Sequence, residues 1–403
     1  MIREPSAPPA PPVVAIYLAA AAIFAALAAR GLLTPLYAAS IGADRFQIGL
    51  LFSASTLVAA LLSLPSGLLS DRFGRRALLI FSIAVSAVSQ VATAYTTSVP
   101  VLYVWQLMWG LAGGAGNAAI FAAVTDLVPA RRLGRAMGWL TLSFQMGFLA
   151  GPALAGIALR FLDLRQDLLA TTALLVLAVP SSLVAPGRQH RPERSLNLGP
   201  ALRELAGRPA FYPVLLALVA SSLVWGTLMA YLPVFGNQHL GLPASQVGYM
   251  LAVLALFNGA SRIPAGRLVD RVQHKATVVL VGVTVFAAGM ILLPHLGGFW
   301  TPTALLAVTV PFLATAFIAI SVAFAALASP ETRGVTMGLY SSVLFLGLAL
   351  GPLAFGPIIA AAGYTAGFTA CGVAAIALTV VMAVMHEPER RRRKAILVPP
   401  PAA

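Results

Sequence analysis

Four charged side chains, Asp71, Arg72, Arg75 and Arg76, crowd into the ten residues "GLLSDRFGRR" (67–76), between two long apolar runs. Only 9% of the chain is charged, so such a cluster points to ion pairing at a chosen place. A degraded copy, "GRLVDRVQHK" (266–275), keeps Asp270 and Arg271 but has Gln273 and His274 where the first copy has Gly74 and Arg75. Two further cations, Arg30 and Arg262, fall inside apolar runs. A guanidinium there is costly unless it meets protein acceptors, water or an anion. Arg30 is therefore expected to face protein or water; binding an anionic substrate group and snorkelling or pairing near the outer end of its run are the two readings open to it. For Arg262, near the end of its run, bonding between helices or snorkelling is expected. Every Asp and Glu is expected in a loop, a tail or at a helix end. His239 and His295 fall in expected loops, without metal-ligand spacing, and no G-x-x-x-x-G-K-[ST] stretch occurs. Cys371 is the single cysteine and reads as a small buried hydrophobe. No metal, cofactor or catalytic group is expected.

The elements that must position these charges are long and apolar. Hydrophobic residues make up 59% of the chain, and the mean hydropathy is +0.90. Soluble domains carry about 25% charged residues, so lipid must solvate much of this surface. Apolar runs, each about the length a bilayer crossing needs, cover 13–38, 46–67, 77–95, 100–124, 134–160 and 167–185, then 211–235, 244–266, 276–294, 301–328, 334–361 and 364–385. Backbone groups in lipid must be satisfied within a segment, which predicts twelve helices. The expected organisation is a tail (1–12), a six-helix unit (13–185), a polar linker (186–210), a second six-helix unit (211–385) and a basic tail (386–403). With the N-terminus in the cytoplasm, all but five of the 26 Lys and Arg residues fall on the inside; Arg45, Arg160 and Arg165 are outside, Arg30 and Arg262 within spans. That bias predicts both termini and the linker on the cytoplasmic side of the inner membrane, and accounts for the net charge of +14 without nucleic acid.

The two units repeat each other. "GWLTLSFQMGFLAGPALAG" (138–156) and "GLYSSVLFLGLALGPLAFG" (338–356) share Gly138, Gly147, Gly151, Pro152 and Gly156 with Gly338, Gly347, Gly351, Pro352 and Gly356. The charged loop recurs at almost the same offset, which indicates a duplicated unit. With these motifs the chain resembles the major facilitator superfamily, "GLLSDRFGRR" matching its signature loop and the glycine-proline run resembling its twelve-helix drug:proton antiporter branch. The resemblance implies an all-α membrane protein, two pseudo-symmetric six-helix bundles with a substrate site near the midplane between them. It implies that Gly67 permits close packing and that Asp71, Arg72, Arg75 and Asp126, with Asp270 and Arg271 more weakly, form a latch. The Asp71, Arg75 and Asp126 cluster would lock the outward-open state and break on inward opening. The glycine-proline helix would line the contact between halves.

By the same resemblance, Tyr17, Arg30, Gln106, Trp109, Asn117, Trp225, Tyr231, Asn258 and Thr315 are the candidates for the cavity wall. The branch commonly carries an Arg where Gln106 stands before Gly110, so the expected cation is missing from the fourth span. The absence of a carboxylate deep in a span sits poorly with the proton coupling that the resemblance implies. The expected function is secondary transport of a small molecule by a monomer in the lipid bilayer, most plainly efflux of amphipathic compounds by antiport. Import or exchange of organic anions, and a sensor or scaffold built on a transporter fold, are the rival readings.

Overall fold

The computed structural model describes residues 11–63, 65, 73–129, 132–185, 198–328 and 333–397, all helical or in short connections. Gly67, Asp71 and Arg72 lie outside them. The first half comprises α1 (Pro11–Ser40), α2 (Arg45–Ser63), α3 (Arg75–Tyr95), α4 (Val99–Leu127), α5 (Leu133–Ala158) and a split α6 (Leu164–Val176 and Val179–Val184). A short helix, Leu198–Ala206, precedes the second half. That half comprises α7 (Phe211–Val234), α8 (Ala244–Arg271), α9 (Lys275–Leu292) and α10 (Trp300–Ala325). The stretch Arg333–Leu397 is broken at Gly363, whose φ of 85° favours glycine, into α11 (333–362) and α12 (364–397). Among the described residues, ten helices are long and apolar enough to cross a membrane, and the break at Gly363 divides the last of them in two.

Local chemistry starts some of these helices. Asp44 and Gln47 open α2 with reciprocal bonds: the Gln47 amide donates to Asp44 Oδ1 at 2.8 Å and the Asp44 amide to Gln47 Oε1 at 2.9 Å. Asp163 and Gln166 make the same box at α6, at 2.7 and 3.1 Å. Each box satisfies two amides that a helix N-terminus leaves without partners.

The repeated glycines show how the halves are built. A Cβ at Gly147 or Gly151 would overlap the α1 backbone at Ala21 and Ala25; one at Gly347 or Gly351 would overlap α7 at Ser222 and Leu223. So α5 sits on α1 as α11 sits on α7, each helix pair brought close by residues without side chains. These glycines pack within a half, while the helices that carry them also lie along the contact between the halves. Gly156 does reach the other half: it lies against Gly248 of α8.

Between the halves, α2 packs on α11 and α5 on α8, with a narrower α1–α7 contact, while α4 and α10 share no packed face. Among the described residues, close contacts between the halves gather at the end away from the termini. There Tyr231 of α7 is wedged against Gly49 and Gly356, Phe46 reaches Gly356, and Gly156 meets Gly248. Ser53 Oγ donates to the Ala349 carbonyl at 2.8 Å, and nearer the termini Ser342 Oγ donates to the Ala60 carbonyl at 3.1 Å.

Candidate functional site

Two polar clusters stand out among the apolar helices. The first is centred on Arg30, ten residues or about 15 Å of helix before the end of α1. Its Nη1 donates to Gln90 Oε1 at 2.6 Å and its Nη2 to Thr93 Oγ1 at 3.0 Å. Gln106 Oε1 accepts from Nη2 at 2.8 Å and from Nε at 3.2 Å. The Trp109 ring lies 4.4 Å from the guanidinium carbon, in cation–π geometry. Gln90 Nε2 in turn donates to Thr171 Oγ1 at 2.9 Å, so α1, α3, α4 and α6 are tied together. Arg30 is 3% exposed.

This geometry corrects the expectation for Arg30, Gln106 and Trp109. They do come together, but inside the first half, not on the wall between halves. The physical reason is the cost of a cation in a medium of low polarity: the side chain turns to where neutral acceptors and an aromatic face surround it. It also supplies what the fourth span lacks. The cation expected at position 106 is held by α1 instead and laid against the Gln106 side chain. No carboxylate lies within ion-pairing distance of Arg30 among the described residues.

A buried acid escaped the sequence reading. Asp167, in the first turn of α6, is 1% exposed, and neither carboxylate oxygen has a hydrogen-bond partner. Its backbone carbonyl accepts from Thr171 Oγ1 at 2.9 Å, so it adjoins the Arg30 cluster through the main chain only. Its place at a helix end was as expected; its burial was not, because helix-end acids usually face water. The polar pair Gln90 and Thr93, three residues apart on one face of α3, was the available signal for the cluster.

The second cluster joins the halves. Gln145 of α5 faces Arg262 of α8; with its amide oxygen toward the guanidinium it accepts from Nη2 at 2.8 Å and from Nε at 2.6 Å. Asn258, one turn earlier on α8, accepts from Arg262 Nη2 at 3.4 Å. The interhelix role expected of Arg262 is thus what it has, and Asn258 stands beside it.

The remaining candidates are dispersed. Tyr17 donates to the Ala136 carbonyl at 3.1 Å and ties α1 to α5. Asn117 Oδ1 is buried without a partner. Trp225 packs on Phe286, ring centroids 6.0 Å apart, inside the second half. Tyr231 is fully buried at the closed end, and Thr315 bonds its own helix at the Pro311 carbonyl, 2.7 Å away. Arg75 Nε and Asp126 Oδ2 form a buried ion pair at 2.8 Å between the start of α3 and the end of α4. Both belong to the first half, so this pair alone cannot latch one half to the other. Asp270 and Arg271 are exposed in the last turn of α8.

The family description "Major Facilitator Superfamily" matches residues 16–321 and 238–400, which together span nearly the whole chain. The chain belongs to the major facilitator superfamily. An uncharacterized MFS-type transporter of Methanocaldococcus jannaschii is 22% identical over 83% of this chain and 88% of its own length. The class H tetracycline resistance protein of Pasteurella multocida is 25% identical over 58% of this chain and 60% of its own. Among solved structures, the nucleoside transporter NupG superposes with a TM-score of 0.76 at 13% identity, covering 93% of this chain and 99% of that one. The likeness to NupG shows the fold: twelve helices in two bundles. This major facilitator is thus a multi-pass membrane transporter of small molecules, not an enzyme.

Proposed function

We propose that this major facilitator exports small amphipathic compounds across the inner membrane by alternating access, both termini lying in the cytoplasm. The observation that carries the reading is the arrangement of α5. Its glycines seat it on α1, and Gly156 sets it on α8 of the other half, giving a small-residue surface on which two rigid bundles can rock. The same glycine-proline run is the one that resembles the antiporter branch, and a tetracycline resistance protein is among the relatives. Protons are the coupling ion in this reading.

The test is flux of an amphipathic dye from proteoliposomes with and without an imposed pH gradient. Flux that follows the gradient is expected. Gradient-independent flux would remove the antiport step, and no flux of any solute would favour a sensor or scaffold. In this reading Arg75 and Asp126 hold the start of α3 to the end of α4 rather than joining the halves themselves. Asp126→Asn should slow transport more than Asp270→Asn at matched expression; equal losses would make both loops simple topology anchors. The second reading, transport of organic anions, is favoured by one observation: the Arg262 guanidinium at the junction of the halves.

A further inference from the structure

Arg262 differs from Arg30, the other cation placed within a span. Arg30 is enclosed, with donors on all three nitrogens engaged. Arg262 is exposed, though it stands within a membrane helix, nine residues before the end of α8. Its Nε and Nη2 meet Gln145, and Nη2 also reaches Asn258, but Nη1 has no protein acceptor among the described residues. No carboxylate stands within ion-pairing distance of it among those residues.

Its direction follows from its neighbours. Gln145 is on α5 of the opposite half, and Gly259 leaves room for that side chain, a Cβ there lying 3.7 Å from Gln145 Cβ. Helix α8 packs on α5 across the boundary, so the bonds between Arg262 and Gln145 stand at the junction of the halves.

We propose that Arg262, with Asn258 and Gln145 beside it, is the subsite that receives the anionic group of an amphipathic substrate. The inference rests on the transporter reading and narrows it to substrates bearing a carboxylate or similar anion. The free edge of the guanidinium supplies two charge-assisted donors. An anion taken through Nη1 leaves the bonds to Gln145 in place, so one guanidinium holds the substrate while bonded to the opposite half.

The test uses the purified full chain in neutral detergent and two probes of one shape, naphthalene-2-carboxylate and naphthalene-2-carboxamide. Wild type should bind the carboxylate about tenfold or more tightly than the amide, a difference of about 1.4 kcal/mol. Arg262→Gln should abolish that preference, and Arg262→Lys should retain part of it. Melting temperatures establish that the variants are folded; if Arg262→Gln is not, Arg262→Lys and Asn258→Ala, each expected to reduce the preference, decide the matter. Equal affinities in wild type, an unchanged preference in Arg262→Gln, or binding of neither probe would overturn the subsite. A lipid headgroup offers the same chemistry, so the titration is repeated with phosphatidylglycerol. Stabilisation by that lipid, lost in Arg262→Gln without any carboxylate preference, would make the site a lipid contact and overturn the substrate assignment. Dye flux measured in parallel separates the two claims. Flux without carboxylate preference sinks the subsite alone, and preference without flux of any solute sinks the transporter reading alone.

Discussion

At the scale of single residues, Arg30 and Asp167 show two ways of placing charge among apolar helices. Arg30 is surrounded by acceptors from α3 and α4 and rests on an aromatic ring. Removing it leaves Gln90, Thr93 and Gln106 without their donors, so Arg30→Gln should destabilise the fold by about 3 kcal/mol. A lower melting temperature is expected, with charged and neutral ligands affected alike; a selective loss for the charged ligand would return Arg30 to the binding site. Arg30→Lys should not rescue it, because an ammonium cannot engage three side chains in the plane of a guanidinium. Asp167 is the opposite case, buried with no donor on either carboxylate oxygen. An unpaired buried carboxylate costs more than its amide isostere. Asp167→Asn is therefore expected to raise the melting temperature, and a lower one would reveal a partner that favours the acid. The cation and its run were legible in the sequence. Its direction was not, because a single sequence does not say which face of α1 meets α3.

At the scale of elements, the glycine motif makes a sharper statement than its composition. Gly151 and Gly138 belong to the same repeated pattern, yet only the first touches another helix; nothing lies within 4 Å of a Cβ built on Gly138. Gly151→Val should push α5 off α1 and abolish folded protein, read as loss of a monodisperse peak on size exclusion. Gly138→Ala should be neutral or stabilising by up to about 1 kcal/mol, since alanine is the better helix former. Equal damage at both positions would mean that the motif acts through something other than helix approach. The repeat told that these helices are special. It did not tell that Gly147 and Gly151 bind α1 while Gly156 binds α8, because one motif serves two neighbours on different faces.

At the scale of the whole molecule, the proposed topology has an even number of crossings in each half, with the termini and the linker on one side. The basic bias is the argument for placing that side in the cytoplasm. Cysteine labels placed at 186–197, in a chain with Cys371 replaced, should react only after permeabilisation; reaction in intact cells would invert the orientation. Run lengths and the offset of the repeats made the two-bundle architecture readable from the sequence, since lipid leaves the backbone few options. The packing between halves was not readable, as it depends on which small residues meet across helices far apart in the chain.

The partners of Arg30 also carry a date. Gln90 follows it by 60 residues and Gln106 by 76. At about 5–20 residues per second of synthesis, the cation waits several seconds for its acceptors. An arginine at the centre of a lone helix disfavours insertion by about 2.5–3.5 kcal/mol on translocon scales. Helix α1 is therefore a poor candidate for early release into lipid, and the insertion machinery must retain it until α3 and α4 arrive. Nascent chains halted after α2 should remain crosslinked to the translocon through α1. Chains halted after α4 should be free of it, and Arg30→Leu should be free at both lengths. Release of the wild-type α1 at the shorter length would show that the charge finds another shelter first.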